Sequence, residues 1–149
     1  MAKIESQSWT VLIPDDWSDN KSDDNEQLYF ESADCSKGFY ISTYINSENK
    51  LFDLKDIESN LNIDKKHTGE IEGYRFKILD EKLFQDQSSI IGILDSYDQM
   101  KRYRIYIKYI AKENRFVRIS YHDYDCDLNE NSDITNNFII DSLELKWKK

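Results

Sequence analysis

The sequence predicts an α+β fold: an antiparallel sheet with a central meander, packed against two helices. Two observations carry this. Four strand-like segments follow one another between Tyr74 and Tyr124, and an amphipathic helix precedes the run while a short helix follows it. At 149 residues the chain fits a single domain spanning 1–149, long enough to bury roughly 68–70% of its unfolded surface. The core has to be built largely from rings, because ten Tyr, seven Phe and three Trp supply much of the apolar volume. Four Gly and one Pro leave little room for a flexible linker or a Gly-rich phosphate loop.

The chain opens with an apolar strand, Ser8 to Ile13, halted by Pro14, whose fixed φ and missing N–H suit a strand end. Trp17 follows a turn through Asp15 and Asp16. Ser18 to Glu26 is almost wholly Asp, Asn, Ser and Lys and reads as a solvated loop. Two strands, Gln27 to Ser32 and Gly38 to Ile45, form a hairpin across the residues between them. Leu51, Leu54, Ile57 and Leu61 then mark one apolar helical face. After Gly73 the period becomes two: Tyr74, Phe76 and Ile78 alternate with polar residues, and strands follow at Ser89 to Tyr97, Arg102 to Ala111 and Arg115 to Tyr124. A last helix, Ser132 to Asp141, has Ser132 as its expected N-cap. Leu143, Leu145 and Trp147 alternate as a terminal strand.

A loop at Lys112-Glu113-Asn114 would set Tyr109 opposite Val117, Ile107 opposite Ile119 and Ile105 opposite Tyr121. The other face would then gather Arg104, Tyr106, Lys108, Ile110, Phe116, Arg118, Ser120 and His122, with Arg102 beyond them. Such a basic and aromatic stripe reads as a binding face, since Tyr and Arg are enriched among residues that dominate binding energy. The commoner reading is a sheet face covered by helices, or one paired to neighbouring carboxylates.

A net charge of −9 disfavours nucleic acid and anionic membrane and favours a basic partner. Acidic residues concentrate in two loops: Asp15, Asp16, Asp19, Asp23, Asp24 and Glu26 near the start, and the stretch from Asp123 to Asp133, with Asp125, Asp127 and Glu130, near the end. They either steer a basic partner or keep the protein soluble. Asp123, Asp125 and Asp127 match the first ligands of a calcium loop, but Leu128 replaces the sharp-turn Gly and Ile134 the bidentate Glu, so no metal is expected. His67 and His122 sit in no catalytic motif, and a trio of Cys35, His67 and an Asp has only composition behind it. No catalytic residue and no cofactor is therefore expected. Cys35 and Cys126 lack CxxC spacing, and without a signal-like amino terminus or a membrane-length apolar run they are expected to be free thiols of a cytoplasmic protein.

The opening Ser8-Trp-Thr-Val-Leu-Ile-Pro-Asp-Asp-Trp17, the middle helix, the meander and the ending Phe138-Ile-Ile-Asp-Ser-Leu-Glu-Leu145 together resemble the PsbP-like and DcrB-like superfamily of small bacterial and plant proteins. The resemblance implies an α/β/α sandwich and a binding role without catalysis. It implies two bacterial candidates, both in the context of toxin delivery such as type VI secretion. One is an immunity protein that blocks a basic secreted toxin by direct contact; the other is an effector-associated chaperone that shields a toxin's apolar segments. A chaperone needs an apolar groove, whereas the face expected to be open carries Arg102, Arg104, Lys108 and Arg118, so the inhibitor is preferred.

Overall fold

The computed structural model describes residues 2–5, 9–19, 27–127 and 139–145. In chain order these form β1 (Ala2–Glu5), β2 (Trp9–Ile13), β3 (Ser18–Asp19), β4 (Gln27–Glu31), β5 (Lys37–Ile45), α1 (Leu54–Gly69), β6 (Lys77–Asp86), β7 (Ser89–Asp98), β8 (Tyr103–Lys112) and β9 (Arg115–Asp123). A helical turn, α2, follows at 139–142, and β10 (Glu144–Leu145) closes the described chain. Seven strands make one antiparallel sheet in the order β3-β4-β5-β9-β8-β7-β6, and β1-β2-β10 make a second. The expected α+β class and the meander β6 to β9 are both present.

Both faces of the large sheet bury apolar side chains. One face packs on the small sheet and α2, burying Trp9, Val11, Ile13, Phe39, Ile119 and Ile140. The other packs under α1, burying Ile57, Leu61, Leu94, Ile107 and Tyr109. Gly92 permits the close approach of α1, since a Cβ there would stand 3.2 Å from Ile57 and 3.3 Å from Tyr109. Asp53 caps α1, accepting the Asp56 N–H while Asp56 returns the bond, a reciprocal capping box. The helix therefore starts after Leu51, which stays 65% exposed, and its buried face is Ile57, Leu61 and Thr68.

Several boundaries differ from expectation. β1 pairs with β2 although its sequence has no strand pattern. β3 lies where a loop was expected and pairs with β4; the rest of that acidic stretch, 20–26, lies outside the described residues, as do Ser132 and Trp147. β6 begins at Lys77, after Tyr74 and Phe76. It is the outer strand, exposed along most of its length, so no apolar alternation marks it.

The β8–β9 register differs by one residue, with a larger consequence. The turn is Glu113-Asn114, with Glu113 at φ 57°, and it places Lys112 opposite Arg115, Tyr109 opposite Arg118, Ile107 opposite Ser120 and Ile105 opposite His122. A slip of one residue exchanges the faces of a whole strand.

Candidate functional site

That register divides the expected stripe. Arg104, Tyr106 and Lys108 share a face with Val117, Ile119 and Tyr121, toward the small sheet, whereas Arg118, Ser120 and His122 face the α1 side. Arg104 is 7% exposed and makes a two-pronged pair with Asp95 of β7, Nε to Oδ1 at 3.0 Å and Nη2 to Oδ2 at 2.7 Å. Beside it, burial first and Asp95 second push the half-buried Tyr106 phenol up to about 12. Burial lowers the Lys108 ammonium, which Asp141 partly offsets. Arg118 reaches α1, with Nε and Nη2 each 2.9 Å from the Asp64 carboxylate. Arg102 sits at φ 56° in the β7–β8 turn and pairs with Asp125 at 2.9 Å and with Asp127. These guanidinium groups tie elements together, the second of the two alternatives that the sequence left open.

The acidic loops are likewise partly absorbed. Asp123 is fully buried, not a surface residue, and its carboxylate accepts the Asp125 N–H at 3.1 Å, with Lys37 at 3.9 Å. Asp125 and Asp127 are exposed but held against Arg102. Asp19 lies on β3, paired with Phe30; Asp23, Asp24 and Glu26 lie outside the described residues. Among the described residues no group of His, Cys, Asp and Glu is arranged to hold a metal ion. Cys35, exposed in the β4–β5 hairpin, and Cys126, buried, form no disulfide.

Around His122 the chain gathers a cluster of rings that the expected register had hidden. Pairing of β4 with β5 puts Tyr29 opposite Tyr40, and pairing of β5 with β9 puts Gly38 opposite His122 and Tyr40 opposite Ser120. Tyr29 and Tyr40 stack at 4.4 Å; Tyr40 meets the His122 ring edge-on at 5.5 Å; Tyr103 and Tyr124 close on the imidazole at 5.8 and 6.0 Å. Tyr74 and Phe76, on the segment before β6, continue the cluster against Tyr103. Gly38 makes room for it, since a Cβ there would stand 2.5 Å from the Tyr29 hydroxyl. α1 lies over β6 and β7. Tyr29, Tyr40 and Tyr103 keep part of their surface in solvent, and Tyr124 is 39% exposed.

The imidazole at the centre is held by two hydroxyls, Tyr103 at 2.5 Å from Nδ1 and Ser120 at 2.8 Å from Nε2. Neutral histidine has one donor and one acceptor, and hydroxyls can match either tautomer. Burial, then the Arg118 charge, push its pKa down to about 4, so the ring is neutral at pH 7. Burial foremost pushes the Tyr29 and Tyr103 phenols up, with Glu31 and Tyr124 adding to Tyr29 and Tyr124 to Tyr103. Tyr29 donates to Glu31 at 2.9 Å. Ser120, His122 and Tyr103 have the outline of a triad but not its chemistry. Ser120 is 2% exposed, and a weakly basic imidazole backed by a phenol does not activate it. The cluster instead offers flat rings with hydroxyl rims, suited to contact.

No protein-family model matches the sequence, and no curated protein matches it. Solved structures do. The cyanobacterial PsbP protein, CyanoP, of Synechocystis superposes with a TM-score of 0.73 at 8% identity, covering 97% of this chain and 92% of that one. Mog1p, a Ran-binding protein of Saccharomyces cerevisiae, gives 0.59 at 12% identity, covering 97% and 96%. A protein of Bacteroides thetaiotaomicron gives 0.60 at 14% identity over 94% of this chain and 46% of its own length. At such identities the likeness is one of architecture: the chain has the PsbP-like α+β fold.

Proposed function

We propose that this chain is a non-enzymatic bacterial binding protein of the cytoplasm, an immunity-type inhibitor that blocks a basic secreted toxin by direct contact. The observation that carries it is the part-exposed cluster of Tyr29, Tyr40, Tyr103 and Tyr124 around a neutral His122. Tyr supplies large contact area with few rotamers to freeze, which suits an interface anchor. The net charge of −9 raises the rate at which a basic partner arrives. Mog1p is a Ran-binding protein, so the same architecture serves protein recognition elsewhere. No helix among the described residues is long and apolar enough to cross a membrane.

One observation favours the chaperone as a second reading. Leu51, Leu54 and Ile45 are exposed, and a groove of about 420 Å³ lies nearby, lined by Phe52, Leu54 and Ile90 with Asp53, Lys55 and Gln85. The arginines that argued against an apolar groove are engaged in internal pairs elsewhere. The test is affinity capture from the native lysate with the wild type, Tyr40→Ala and Leu54→Asp. A basic toxin-like protein lost with Tyr40→Ala and at high salt supports the inhibitor. A protein with long apolar segments, retained at high salt and lost with Leu54→Asp, replaces it with the chaperone.

A further inference from the structure

We propose that the ring cluster is a socket for an arginine side chain of the partner, seated on the faces of Tyr40, Tyr103 and Tyr124 with its charge toward Glu31. This rests on the protein-binding reading and names the chemistry that the site selects. Ring faces attract cations through their quadrupole when the charge lies within about 6 Å of the centroid. The cluster already holds one cation in this way: Lys101 Nζ lies 5.9 Å from the centroid of Tyr74, at the far end of the same run of rings. At the other end Glu31 accepts the Tyr29 hydroxyl, so a carboxylate and a hydroxyl rim stand beside the rings. Tyr103 and Tyr124 meet at 71° and 5.1 Å, and Tyr40 stands edge-on to His122 at 84°. The rings of the cluster therefore do not lie in one plane, so a planar cation that stacks on one of them meets the others at an angle.

Two further features suit a cation. The imidazole in the floor of the cluster carries no charge at pH 7 and so does not repel one. Gly38 lets the Tyr29 phenol lie against the strand, where its hydroxyl reaches Glu31. Arginine fits better than lysine because its planar, weakly hydrated guanidinium stacks on rings and can donate to a carboxylate and hydroxyls at once.

The test is an NMR titration of the full chain with Nα-acetyl-arginine amide and, separately, with its neutral isostere Nα-acetyl-citrulline amide. The arginine probe should shift the amides of Gly38, His122 and Tyr124 saturably, and the citrulline probe should not. Tyr40→Leu and Glu31→Gln should each weaken the arginine response by about fivefold, whereas Tyr40→Phe, which retains the ring, should leave it near wild type. Amide dispersion of each variant reports whether it folds. An equal response to citrulline, or shifts centred on Asp125 and Asp127, would overturn the socket, the latter marking general attraction to acidic surface. A protein that ignores the probe yet captures its partner refutes the socket alone. One that binds the probe but captures no toxin refutes the inhibitor reading alone.

Discussion

Acidification from neutral pH should destabilise this protein first through His122. Its folded pKa of about 4 lies below the ordinary 6.5, so between those values the unfolded chain binds a proton that the folded chain refuses. Stability from this site is complete above about pH 7 and drains as the pH falls through 6.5 towards 4. The full shift corresponds to about 3 kcal/mol, of which about 2 kcal/mol is lost by about pH 5. Asp34, Asp53 and Asp98, whose carboxyls are held low mainly by backbone N–H donors, release their share at lower pH. Urea unfolding at about pH 7.5 and about pH 5 measures the loss, and the same pair of measurements on His122→Asn subtracts every other group. The variant will be less stable at neutral pH, because Tyr103 and Ser120 lose a matched ring, but its stability should change less between the two pH values by about 2 kcal/mol. Equal losses in the two proteins would show that the imidazole is not held neutral by the fold and would refute the reasoning.

Arg104→Ala should cost about 3–5 kcal/mol in urea unfolding, since it strands Asp95, itself 5% exposed, while Arg104→Met with Asp95→Leu should recover most of that loss. The Tyr121 hydroxyl is buried with no hydrogen-bond partner, so Tyr121→Phe should leave stability unchanged or raise it by about 1 kcal/mol; a loss larger than that would mean that the hydroxyl is satisfied. Gly38→Ala should lower stability by about 1–3 kcal/mol by driving a Cβ into the Tyr29 phenol. Adding Tyr29→Leu should restore part of that stability, and no recovery would place the strain elsewhere.

The elements whose burial is one-sided or whose ends are chemically marked were legible in the sequence. Pro14 stops β2, and its carbonyl accepts the Trp17 N–H at 3.1 Å, as the expected turn through Asp15 and Asp16 requires. The hairpin from β4 to β5 appears within a residue of its expected ends, because a polar tip separates two apolar runs. α1 was legible from Ile57 and Leu61, but its start was not. Asp53 and Asp56 form the capping box with acidic side chains, and Leu51 and Leu54 extended the apolar spacing beyond what the fold buries. β6 was legible least of all, since an outer strand that turns little more than Leu83 towards the core under α1 needs no apolar period.

The site depended on register, and register was the one property that hydrophobic pattern could not fix here. A strand with one dry face announces its register, because a slip by one residue would carry every apolar side chain into water. β8 and β9 have two dry faces: Ile105, Ile107 and Tyr109 pack under α1, while Ile110, Val117, Ile119 and Tyr121 pack on the small sheet. Either register therefore buries apolar rows, and the turn had to decide. Glu113 occupies a left-handed position at φ 57° without the Gly or Asn that usually betrays it, so a three-residue loop and a two-residue loop looked alike. Choosing the longer one assembled a basic stripe from residues that lie on opposite sides of the sheet. The shorter one separates the arginines into buried or paired positions and leaves His122 facing Ile105 on one strand and Gly38 on the other. Only there can Tyr29, Tyr40, Tyr103 and Tyr124 converge on a single imidazole, which is why the cluster is a property of the sheet and of no segment within it.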